Sequence, residues 1–104
     1  MFRVAVVYPA TEGGHFDFDY YVKSHVPKAV SFISASVIRT EVTRGVSGAG
    51  GSPAPYTAIG TIYLRDLECL QALERPEAMT WMANDLPNYT NISPVVSVEE
   101  IVAA

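Results

Sequence analysis

Little in this chain can serve disulfide pairing, metal binding or nucleic-acid recognition. Cys69 is the only cysteine. No internal disulfide can form, and a reducing, cytoplasmic setting is expected. The chain has two histidines, His15 and His25. Their spacing matches no metal site, and no metal or other cofactor is expected. Seven Lys and Arg are outnumbered by eleven Asp and Glu, giving a net charge of -4. The basic residues are scattered, which excludes a basic face for nucleic acid. No apolar run approaches the roughly 18 residues that cross a membrane. Residues 1–8 lack the charged start and small-residue cleavage site of a signal peptide, and fit a strand better. Glycine-rich phosphate loops, nucleophile elbows, ordered Ser/His/Asp sets and repeats are also missing.

What is present reads as one domain over residues 1–104. Residues 2–8 are short, β-branched and strand-like. A loop follows at Pro9 and Gly13-Gly14. Asp17 caps a helix expected to run to about Ile33, with Phe16 and Tyr21 at the spacing of a hydrophobic staple and Pro27 inside. Residues 37–46 and 56–64 are two further strands. The Gly/Ser/Pro-rich stretch 47–55 joins them as a flexible connector, and a lid over a pocket is its sharper reading. Asp66 is expected to cap a second helix through Leu67, Leu70 and Leu73. Pro76 suits the first position of a following helical turn over 77–83. Residues 95–102 form the last strand.

The order β-α-β-β-α-β is that of a ferredoxin-like α+β fold with a four-stranded antiparallel sheet. Two helices cover one sheet face. In the first strand Phe2, Val4, Val6 and Tyr8 oppose Ala5 and Val7, so both faces carry apolar residues. The uncovered face is expected to meet a second copy about a two-fold axis.

His25 is the most informative residue. At helical spacing it shares a stripe with Phe18, Val22 and Ala29, flanked by Tyr21 and Phe32. The stripe must face the sheet, so His25 points inward. An imidazole there can carry protons, or it can be a core histidine satisfied by a backbone carbonyl. Pro27 cannot donate an N–H and crowds the carbonyl of Lys23. It marks either a kink that widens a pocket or a plain helix end. Phe18, Tyr20, Tyr21, Val22 and Tyr63 are the candidate ligand-binding residues around His25. Met79, Trp81 and Met82 read as helix core, Cys69 as a small buried hydrophobe, His15 as exposed, and Asp17 and Asp19 as helix-dipole residues.

Tyr8-Pro9, Phe16-Asp17, Asp19-Tyr20-Tyr21 and His25-Val26-Pro27 resemble the N-terminal signature of the EthD family. The segment Asp85-Leu86-Pro87-Asn88-Tyr89-Thr90 resembles that family's stretch before its last strand. The resemblance covers nearly the whole chain. It implies a dimeric α+β barrel, in which two such sheets pack face to face and pockets lie between each sheet and its own helices. The family is associated with ethyl tert-butyl ether degradation and loosely with oxidoreductases, without an agreed chemical role. Similar barrels include lactone isomerases, polyketide cyclases and cofactor-free monooxygenases. In related methylmuconolactone isomerases a first-helix histidine is a proposed proton carrier, and His25 holds the matching position.

Three readings stand at this point. The first is an enzyme in which His25 performs acid–base chemistry on a small apolar carbonyl or phenolic compound. The second is a non-catalytic small-molecule-binding accessory protein of a degradation pathway. The third is a structural homodimer with a filled core, which predicts no cavity beside His25. None involves nucleic acid or a membrane.

Overall fold

A computed structural model describes all 104 residues. Four antiparallel strands form one sheet in the order β2-β3-β1-β4. They are β1 (Phe2–Pro9), β2 (Val37–Arg44), β3 (Tyr56–Leu64) and β4 (Val95–Glu100). The two inner strands, β1 and β3, carry the densest β-branched and aromatic alternation, as a half-buried pleated surface requires. Register pairs Val4 with Ile62 and Val98, and Val6 with Gly60 and Val96.

The first helical segment, α1, joins three turns: Phe18–Tyr20, a π-helical stretch Tyr21–His25, and Val26–Ser31. Two more helices follow β3: a short α2 (Leu70–Leu73) and α3 (Pro76–Asp85). The architecture is ferredoxin-like α+β, as the element order predicts. No helix is long and apolar enough to cross a membrane.

Several boundaries differ from the sequence reading. Asp66 does not open a helix; its carboxylate accepts the N–H of Glu68 in a turn, and α2 starts only at Leu70. Pro76 is the first residue of α3, as expected, but the helix continues to Asp85. Strand β2 ends at Arg44 rather than at 46. The 47–55 connector is folded locally: a tight turn at Ala49–Gly51 uses positive φ at Gly50 and Gly51, and Gly48 N–H bonds the Ser52 carbonyl at 2.8 Å.

All helices lie on one face of the sheet. The apolar packing there divides in two. One cluster joins Tyr8, Tyr21, Ala58, Tyr89 and Ile92. The other joins Val4, Ile33, Ile62 and Leu64. Leu64 is fully buried, an arrangement that contributes about 1.5–3 kcal/mol relative to exposure. The opposite face is uncovered and mixed. It combines Ala5, Val7, Ile59 and Val95 with the ion pairs Arg3–Glu99 at 2.6 Å and Arg39–Glu41 at 3.1 Å.

Candidate functional site

The site begins with how α1 is wound. The Asp17 carboxylate accepts the N–H of Tyr20 at 3.0 Å, closing the helix start. Phe16 and Tyr21 meet with ring centroids 5.0 Å apart, completing the staple. The chain then widens into a π turn, with Val26 N–H bonded to the carbonyl of Tyr21 five residues back. Pro27 follows directly. It has no N–H for the Lys23 carbonyl, and a wider turn relieves the crowding of its ring. Inward positions now recur every four residues, so Tyr21, His25 and Ala29 are all buried.

His25 is 8% exposed and Asp85 7%. His25 Nδ1 lies 2.7 Å from Asp85 Oδ2. The other carboxylate oxygen accepts Tyr20 Oη at 2.6 Å and Asn88 Nδ2 at 3.1 Å. Burial penalises the ionised carboxylate, but hydrogen bonds from Tyr20, His25 and Asn88 outweigh it and hold its pKa below the ordinary value. An ionised Asp85 has no proton to give. Nδ1 therefore donates, which leaves Nε2 as the ring nitrogen that can carry a lone pair. The ring is held between Tyr21 and Trp81, both nearly parallel to it, with centroids at 5.2 and 4.9 Å.

Two phenols complete the polar end. Tyr89 Oη is 3.5 Å from His25 Nε2 and 2.8 Å from Tyr8 Oη. Burial raises the pKa of both Tyr8 and Tyr89, so both stay protonated donors. Tyr21 reaches the same region only because β3 carries glycine at position 60, where a Cβ would overlap the Tyr21 hydroxyl. A glycine inside a strand marks such close approaches.

The segment after α3 sets Asp85 and Tyr89 against α1. Asp17 N–H donates to the Tyr89 carbonyl at 2.7 Å. Thr90 Oγ1 donates to the His15 carbonyl at 2.6 Å, and Asn91 Oδ1 accepts the His15 N–H at 2.9 Å. Residues far apart in sequence are thus fastened at the mouth of the same helix. No buried side-chain nitrogen or oxygen is left without a partner.

Beside His25 lies a cavity of about 430 Å³ between the sheet and its helices. Sixteen of its 22 lining residues are hydrophobic, with the polar groups of His25, Tyr8, Tyr21 and Tyr89 gathered in one region. Met79 (55% exposed), Val96 (60%) and Val98 (50%) form an open rim beside the β4 edge.

No family model and no curated protein matches the chain. Solved structures do. An EthD-like protein of Ralstonia eutropha JMP134 is 30% identical, with a TM-score of 0.87, over 98% of this chain and 92% of that one. The chain belongs to the EthD family. A second EthD family protein, from Bacillus halodurans C-125, is 20% identical with a TM-score of 0.63, over 98% of this chain and 99% of its own. A dimeric ferredoxin-like protein from an uncultured marine organism shares the fold at 12% identity and a TM-score of 0.57, covering 99% and 95% of the two chains.

Within this EthD chain the candidate residues separate. His25 and Tyr21 line the cavity. Val22 does not. It is 48% exposed, because the π turn moves the inward stripe from Val22 to Tyr21. Phe18 packs on Phe16 under the Arg44 guanidinium, outside the lining. Tyr20 acts on the site through Asp85 and does not line it. Tyr63 points to the uncovered sheet face, where Arg39 lies over its ring at 4.0 Å. No residue of 47–55 lines the cavity. Met79 and Met82 line open space rather than a filled core, and Trp81 stacks on His25. Nothing in the sequence singles out Asp85; Tyr8 and Tyr89 stand there only among six tyrosines, several of which could line a polar-tipped pocket or simply pack in strands and core. The signal available was the 85–90 segment, which carried the family resemblance without a stated partner.

Proposed function

We propose that the cavity is a cofactor-free acid–base site for a small, largely apolar carbonyl or phenolic compound. The observation that carries this reading is the buried His25–Asp85 pair at the polar region of an apolar cavity. Asp85 holds Nδ1 and leaves Nε2 as the base. Tyr89 makes only a long contact to Nε2, so an incoming C–H or O–H can compete for it. In the proposed step Nε2 takes a proton from the carbon beside a carbonyl, or from a phenol. The electrons move onto oxygen. Tyr8 and Tyr89, still protonated, donate to that developing oxyanion. The imidazolium formed is stabilised by ionised Asp85 and returns its proton to the same or a conjugated carbon. That sequence is an isomerisation; cyclisation and reaction of the enolate with oxygen start with the same proton transfer.

The cavity weighs against a structural dimer with a filled core. The non-catalytic binder differs from the enzyme in one outcome. β-Tetralone, an uncharged bicyclic ketone, is incubated with the protein in deuterium oxide and its α-hydrogen exchange is followed by NMR. Wild type accelerates exchange and His25→Gln does not. Binding to both proteins with no acceleration by either identifies a binder.

We further propose a cytoplasmic, two-fold homodimer that uses the uncovered sheet face, leaving the helix-covered face to the ligand. The dimeric state of the marine ferredoxin-like protein supports this, as does the apolar content of that face.

A further inference from the structure

We propose that the cavity selects uncharged ligands, of about two or three fused rings by its volume, and rejects their carboxylate analogues. This rests on reading the cavity as the ligand site. Glu74 is the charged lining residue on the helix-covered side; Glu41 touches the cavity but turns its carboxylate to Arg39 and Tyr63 on the far sheet face, and ionised Asp85 stands one hydrogen bond behind His25. No lysine or arginine lines the cavity.

Each cation is accounted for elsewhere. Arg3 and Arg39 pair with Glu99 and Glu41 on the far sheet face. Lys23 pairs with Asp19 at the surface. Lys28 and Arg44 lie over the rings of Phe32 and Phe18. Arg65 donates to the Ala35 carbonyl, and Arg75 lines a separate shallow groove. A carboxylate entering the cavity would shed water without meeting a lysine or arginine, and would face ionised Asp85 behind the polar end. An uncharged phenol or ketone sheds far less and still finds Tyr8, Tyr89 and His25 for its one oxygen. The ligand is thus a molecule with a single polar end, and an acid-bearing lactone is excluded.

The test is calorimetric binding of β-naphthol and β-naphthoate, which share a ring system and differ in charge at neutral pH. β-Naphthol binds wild type, and β-naphthoate binds at least about a hundredfold more weakly. Val96 offers the decisive variant, because it lines the rim, is 60% exposed and sits on an edge strand that tolerates lysine. Val96→Lys raises the ratio of β-naphthoate to β-naphthol affinity at least about tenfold. Equal affinities in wild type overturn the proposal. So does an affinity ratio that Val96→Lys leaves unmoved, or no binding of either probe at millimolar concentration. The proton-exchange experiment separates the two claims. Selective β-naphthol binding with no His25-dependent exchange keeps the ligand class and removes the chemistry. His25-dependent exchange with indiscriminate binding does the reverse.

Discussion

Asp85 decides what His25 can do. Without it the imidazole could present either nitrogen to the cavity. With it Nδ1 is occupied and Nε2 is the edge that faces the phenols. Asp85→Asn therefore keeps the shape but no longer stabilises an imidazolium, and proton exchange falls by roughly a hundredfold or more. The same residue sets an acid limb of stability. Burial opposes its charge, the bonds from Tyr20, His25 and Asn88 favour it more, and its folded pKa lies below its unfolded one. Its ionised form thus contributes stability fully above the unfolded pKa, near 4, and that contribution is lost as pH falls through the lower folded value. Thermal melts of Asp85→Asn between neutral pH and strong acid are expected to show a shallower decline than wild type. An equal decline removes Asp85 as a source of the acid limb. Gly60 is the second residue-scale test. Gly60→Ala forces Tyr21 off the imidazole face and destabilises by about 1–3 kcal/mol, read as a lower denaturant midpoint. An unchanged midpoint would mean that Tyr21 packs otherwise. His25 was legible at this scale because one inward position in an apolar stripe is visible in a linear sequence. Its partner was not. Asp85 lies sixty positions away, and nothing in local spacing says which carboxylate a histidine will meet.

At the scale of elements, strands were easier to read than helices. Alternating β-branched residues place β1 and β3 correctly because pleat and burial share a period of two. The first helix fails at one point for a physical reason. A uniform 3.6-residue period sends Phe18, Val22, His25 and Ala29 to one face. Pro27 breaks the bonding pattern, the turn before it widens, and the stripe becomes Tyr21, His25 and Ala29. Proline announces a disturbance but not whether the chain kinks, stops or bulges. The third helix runs two residues past its expected end, and those two residues bring Asp85 under His25. Asp17 tests the start of α1. Asp17→Ala removes the cap on Tyr20 N–H and costs about 1 kcal/mol, a fall of about 4–8 °C in melting temperature for a domain near this size. A cap-independent helix start would leave the melting temperature where it is.

At the scale of the whole molecule, the sheet has two unlike faces. One face holds helices, cavity and the His25–Asp85 pair. The other holds apolar residues and ion pairs with no covering layer. Apolar positions on both faces are visible in the sequence, and the register bears out that alternation while adding Arg3, Arg39, Glu41 and Glu99 to the uncovered face. Sedimentation equilibrium is expected to give twice the chain mass of 11.3 kDa. A monomeric mass at micromolar concentration contradicts the assembly and leaves the cavity argument intact.

Everything proposed for the cavity depends on His25 turning a free Nε2 lone pair toward it. Imidazole-nitrogen NMR of isotope-labelled wild type, with and without β-tetralone, tests that directly. The expected result is a proton on Nδ1, with ligand shifting the Nε2 resonance far more than Nδ1. A His25 protonated on Nε2, or one whose nitrogens ignore the ligand, would contradict it.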